Sequence, residues 1–155
     1  MQMVIQVLMG MCGAVGFSVL FNVRGRKLIA AGLGAALSWS VYLVLLSMHG
    51  DKILALLGAS LTVAVLAEVL ARVMKAPVII LLVPMLIPLI PGSDLYHMTT
   101  NLVLGNAPEF AEYLDLVIRE AGVIAFAVIL VTCAVQVIMK VYRHFTSLRQ
   151  KKSML

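Results

Sequence analysis

APVIILLVPMLIPLIPG, residues 76–92, is apolar enough to sit in lipid, yet it holds four of the chain's five prolines, Pro77, Pro84, Pro88 and Pro91. Pro84 and Pro88 stand four apart and Pro88 and Pro91 three apart, so on a helix they share a face. Each interior proline removes a backbone donor and crowds the carbonyl four residues back. Lipid offers such carbonyls nothing, so a broken segment at membrane depth persists only where protein or a water-filled cavity supplies partners. A short hydrophobic segment interrupted by Gly and Pro is also a sequence pointer to a transporter binding site. The alternative is a kinked helix packed against its neighbours with no ligand.

The composition around this stretch sets the class. The chain has 155 residues, 63% of them hydrophobic and only 12% charged, with a mean hydropathy of +1.08. A soluble chain carries about twice that charged share. The expectation is an all-α, polytopic membrane helix bundle of about five spans, one of them broken by proline, in a single integral membrane domain over residues 1–155. Cys12 and Cys133 fall inside apolar runs and read as small buried hydrophobes, not as a disulfide or metal pair.

Four other runs complete the bundle. The first covers residues 3–21, with no basic residue before it and no small-residue cleavage site after it, so it reads as a retained span. Its Gly10, Gly13 and Ala14 form a face for close backbone approach. The second span, 28–48, carries Ala30, Gly34 and Ser38 at every fourth position, another packing stripe, and its Trp39 and Tyr42 are expected to pack against protein. The third covers 53–71. The proline segment, 76–91, follows, and then the most polar part of the chain, residues 93–121. There Asp94 to Leu104 reads as a short helix, Gly105-Asn106 as a stop, and Ala107-Pro108-Glu109 as a helix start. That helix is expected to run on into the last span, 121–139, with a basic tail over 140–155.

Charge gives the orientation. If 76–91 crosses the membrane, Arg24, Arg26, Lys27, Arg72, Lys75, Lys140, Arg143, Arg149, Lys151 and Lys152 share one side. The positive-inside rule makes that side cytoplasmic, with the N-terminus outside and the C-terminus inside. The other side receives Asp51, Asp94, Glu109, Glu112, Asp115 and Glu120, with only Lys52 and Arg119. A hairpin at 76–91 would send the basic tail outside. The net charge of +5 is thus topological and not a nucleic-acid signal.

Few side chains carry chemistry. Glu68 is read as the only acid inside a span and is the candidate for coupling to a proton or cation; its alternative role is to pair with Arg72 four residues on. Pro84, Pro88, Pro91, Gly92, Ser93, Asp94, Tyr96 and Asn101 are the candidates for lining a substrate path, the alternative being ordinary solvated or interfacial positions. His97, Thr99 and Thr100 stand among them. No catalytic set, metal site or cofactor motif is visible: three scattered histidines make no metal site, the ten methionines form no ladder, and no Gly-rich phosphate loop exists.

Three strings carry a resemblance. KAPVIILLVPMLIPLIPGSDLY, Lys75 to Tyr96, SLTVAVLAEVLAR, Ser60 to Arg72, and NVRGRKLIAAGLGAALSW, Asn22 to Trp39, resemble the small-subunit form of the bacterial and archaeal threonine/serine exporter family. The resemblance covers almost the whole chain. It implies the second half of a split exporter whose larger membrane subunit supplies the first half. It further implies a prokaryotic inner-membrane location and export of threonine and serine, or of dicarboxylates such as succinate, coupled to protons or to the membrane potential. The Asn106–Glu120 stretch is longer and more acidic than the family's common form. A structural or assembly subunit that stabilises a partner without lining a path is the competing reading, and an intramembrane enzyme the weakest.

Overall fold

A computed structural model describes the backbone of residues 2–152 and the side chains of residues 2–142. The tail side chains that enter the charge argument, Arg143, Arg149, Lys151 and Lys152, lie outside the described residues, as does His144. The described residues form helices α1 (Gln2–Leu20), α2 (Arg26–His49), α3 (Lys52–Val73), α4 (Val78–Leu86), a 3₁₀ turn (Ile87–Leu89), α5 (Gly92–Leu104) and α6 (Ala107–Lys152). Among them, α1, α2, α3 and α6 are each long and apolar enough to cross a bilayer. Val78–Leu89 and Gly92–Leu104 form a bent pair, 65° apart, that adds a fifth element of that kind. The chain is thus an all-α membrane bundle.

The connections between the first helices are tight. Gly50 takes the left-handed conformation (φ 69°) that closes α2. Asp51 then caps α3, its carboxylate accepting from the backbone N–H groups of Ile53 at 2.8 Å and Leu54 at 3.4 Å. The small-residue stripe of α2 is where α4 docks. Ala30, Gly34 and Ser38 are all buried, and a Cβ on Gly34 would stand 2.6 Å from the Met85 side chain. Gly34 is small so that Met85 can fill that space. On α1 the face is narrower than its sequence suggests: Ala14 is buried and Gly10 lies against Pro88 and Trp39, but Gly13 faces open space. Cys12 and Cys133 are exposed, which corrects the expectation of burial. In lipid an apolar side chain needs no protein cover.

The core runs through the α2–α3–α4 contact: Ala55, Leu56, Ala59, Val63, Ala67 and Ala71 of α3 against Leu81, Met85 and Leu89. It is built largely from alanine, as expected where helices approach closely without water to drive them together. Many large apolar residues point outward, among them Val4, Ile5, Ile29, Leu33, Ile79 and Ile129. A bilayer solvates such a surface.

The proline stretch starts at the Arg72 end of α3 and finishes at the Lys52 end, because Asp94 pairs with Lys52. By helical rise α4 and the 3₁₀ turn together cover roughly 20 Å, against about 30 Å for the hydrocarbon core, so they are shorter than a full crossing. At the break the backbone changes its hydrogen bonding. The Ile90 N–H donates to Ile87 O at 3.3 Å and the Gly92 N–H to Ile90 O at 2.7 Å. Met85 O also receives a side-chain donor: the Ser38 hydroxyl, shared between Ala35 O at 2.8 Å and Met85 O at 3.3 Å. Neighbouring protein therefore serves a carbonyl at the break, as membrane depth demands.

Beyond the break, α5 turns aside and α6 returns along it, with His97 and Tyr113 stacked at 5.1 Å between ring centroids. Gly105 (φ 75°) closes α5, and the Phe110 N–H donates to Asn106 O at 3.0 Å to start α6. The helix then continues without interruption through Gly122. Its residues 118–126 share a groove with Asp51, Ile53 and Leu57 at the start of α3, so residues 107–117 project past that end of the bundle.

Candidate functional site

Where the proline stretch breaks, three helices bring charges together. Lys52 is the first residue of α3, Asp94 lies in the first turn of α5, and Glu120 stands a third of the way along α6. The Lys52 ammonium donates to Asp94 Oδ2 and lies 2.5 Å from Glu120 Oε1. Lys52 is thus the ion-pair partner of Glu120 as well as of Asp94, and the two carboxylates are near neighbours. Glu120 is 0% exposed, Asp94 is buried, and Lys52 keeps 42% of its side chain open. One cation serves two carboxylates, so the fully ionised cluster carries one negative charge.

The cluster borders a recess of about 180 Å³. Its floor is the break itself, Pro88 to Asp94, and its walls include Trp39, Tyr42 and Leu56. Trp39 and Tyr42 stack at 4.8 Å, and the indole N–H of Trp39 is buried without an acceptor among the described residues. The α5 N-terminus opens here, where unpaired backbone N–H groups and the helix dipole favour anionic groups. The recess thus presents acceptors (Glu120, Asp94), donors (Lys52, Trp39 and the α5 N-terminus) and an aromatic wall within a few ångströms. Such a set suits a small molecule bearing charges of both signs.

The structure gathers Pro88, Pro91, Gly92, Ser93 and Asp94 at this recess. Pro84 is buried in the core one turn away. Tyr96 is exposed and meets His97 edge-on at 5.6 Å, while the Asn101 side chain donates to His97 O at 3.0 Å, farther along α5. Glu68 is paired with Arg72 at 2.9 Å at the opposite end of α3. Glu120, one residue before the expected last span, is the other buried acid with a basic partner, and unlike Glu68 it finds that partner on another helix.

Lys52, Glu120, Trp39 and Tyr42 are absent from the path residues that the sequence suggests. One sequence feature bears on Lys52 and Glu120: on a side with six acids, Lys52 and Arg119 are the only bases. Arg119 instead pairs with Asp115 at 2.8 Å on the exposed face of α6. A larger groove between α1 and α2, lined by Met3, Val4, Val7, Leu8, Ser40, Leu43 and Val44, offers no comparable chemistry: its one hydroxyl, on Ser40, donates to Ala36 O.

No curated protein and no solved structure matches the chain. The family model described as "Threonine/Serine exporter, ThrE" matches residues 6–134, taking in α1 to α5 and the part of α6 that holds Glu120. The chain therefore belongs to the threonine/serine exporter family, as a multi-pass membrane protein of exporter-type transport.

Proposed function

We propose that the chain is the smaller subunit of a two-component secondary exporter of small hydrophilic metabolites, working beside a larger membrane subunit of the same family. The substrates are threonine and serine, or dicarboxylates such as succinate, and export is driven by protons or by the membrane potential. The protein sits in a prokaryotic inner membrane with its N-terminus outside and its C-terminus in the cytoplasm. Pro88, Pro91, Gly92, Ser93 and Asp94 line the substrate path, with Lys52, Glu120, Trp39 and Tyr42 completing it.

The observation that carries this reading is the meeting of Lys52, Asp94 and Glu120 in a recess at the helix break. Buried ionisable groups in a membrane bundle are costly and mark ion or substrate pathways. The orientation is supported by the placement of Arg24–Lys27 and Arg72–Lys75 at one end and the acidic cluster at the other. Between the two substrate classes, the unbalanced negative charge favours the ammonium-bearing amino acids over a dianion.

Efflux of preloaded amino acids and dicarboxylates is the test, in cells without their own exporters, with this chain alone and with its larger candidate partner. Efflux only from the pair supports the reading and names the substrate. Efflux from this chain alone replaces it with a self-sufficient homo-oligomer. With both proteins in the membrane and no efflux, the structural-subunit reading takes its place. Within the pair, a cysteine at Ser93 reacts with aqueous thiol reagents and is shielded by substrate if it lines the path.

A further inference from the structure

We propose that Glu120 is the carboxylate that takes up and releases the coupling proton, with Lys52 and Asp94 as the positioning residues that set when it does so. This rests on the exporter reading above. Glu120 is fully covered, its ion-pair partner among the described residues is a lysine already bonded to Asp94, and it borders the recess. A buried carboxylate in that condition is held as an anion only by the nearby ammonium.

The surroundings of Glu120 single it out from Asp94. Asp94 accepts a hydrogen bond from Lys52 and sits in the first turn of α5, where the helix terminus favours its anionic form. Lys52 serves both carboxylates, and of the two Glu120 is the fully covered one and stands away from any helix terminus. The other polar side chains at the recess are the Tyr42 hydroxyl and the Trp39 indole of α2 and the Ser93 hydroxyl of α5; the 87–91 segment brings no titratable side chain. On α6, the neighbouring Arg119 is committed to Asp115, and Asp51 on the α3 side caps its own helix.

The step is a single proton transfer. The Glu120 carboxylate accepts one proton from external water and becomes a neutral carboxyl; Lys52 stays with Asp94, and the cluster passes from one net negative charge to none. Opened to the cytoplasm, the carboxyl returns that proton to water. The anionic site then attracts a substrate ammonium, and protonation on the outside releases it. Proton entry and substrate exit thereby alternate at one carboxylate.

The test is the dependence of efflux on external pH, measured in cells carrying the full exporter, together with the infrared carboxyl band of the purified chain. Wild-type efflux rises as the outside is acidified, and Glu120→Gln loses that rise and the band, while Glu120→Asp recovers both in part. Lys52→Gln removes the opposing cation and moves the midpoint up by about one to three pH units; Asp94→Asn removes the neighbouring anion and moves it down. Glu68→Gln leaves the midpoint in place. A midpoint that ignores both Lys52→Gln and Asp94→Asn, or a band that survives Glu120→Gln, overturns the proton site and leaves the exporter standing. A band that titrates through Glu120 in a protein that exports nothing overturns the exporter reading instead.

Discussion

Glu68 and Glu120 are both buried acids with a partly open basic partner, one at each end of the bundle, and they differ in how that partner is shared. Glu68 meets Arg72 one turn along its own helix at 2.9 Å, and the guanidinium also donates to Glu68 O at 2.6 Å. That pair is balanced and closes on itself near the end of α3. Glu120 meets a lysine from α3 that is already engaged by an aspartate from α5. An acid paired within one turn terminates a helix comfortably. An acid sharing a partner across three helices responds to anything that moves one of them.

Lys52→Met sharpens the difference most. It strands two buried carboxylates and is expected to cost about 3 kcal/mol, the low end for breaking a buried pair because Lys52 is partly open. The measurement is unfolding of the purified protein in detergent, and the loss shrinks in acid, where the carboxylates become neutral. A pH-independent loss would mean that Lys52 matters for packing alone.

Next in size is the coupling between partners. A double-mutant cycle between Lys52 and Glu120 is expected to give about 2 kcal/mol, and one between Glu68 and Arg72 about 1 kcal/mol, because Arg72 keeps its bond to the Glu68 carbonyl when the carboxylate is lost. Equal couplings would erase the distinction between the two ends.

Ser38→Ala probes the helix break that places Asp94. It leaves Met85 O without its side-chain donor and is expected to cost about 1–2 kcal/mol, with a larger loss of transport than of membrane expression. Equal losses would make the hydroxyl a packing element only. The smallest effect belongs to Glu68→Gln, below about 1 kcal/mol, with Arg72 still able to donate to the backbone. A collapse of the fold on this change would show the Glu68 pair to be the more critical of the two.

Much of this was legible before any coordinates. The apolar runs located the helices because lipid demands them, and Gly105-Asn106 before Ala107-Pro108 located the α5–α6 turn through its backbone chemistry. The stripe of Ala30, Gly34 and Ser38 announced a close neighbour without saying which. Glu68–Arg72 was readable because the i, i+4 spacing on a helix is itself a distance. Cys12 and Cys133 misled, since an apolar run in lipid does not distinguish a side chain facing a helix from one facing an acyl chain.

By itself, then, the sequence determined the membrane class, the helix positions, the break at Pro84–Pro91 and the segregation of charge between the two ends. These follow from local backbone chemistry and from transfer between water and lipid, which act residue by residue. The tertiary structure alone decided that Lys52, Asp94 and Glu120 meet, that Trp39 and Tyr42 wall their recess, and that Tyr96 and Asn101 stand apart from it. Forty-two residues separate Lys52 from Asp94, and no periodicity links α3, α5 and α6. Their meeting is set by how far α4 and its 3₁₀ turn carry the chain back along α3, and by the 65° bend that then aims α5 across the start of α6.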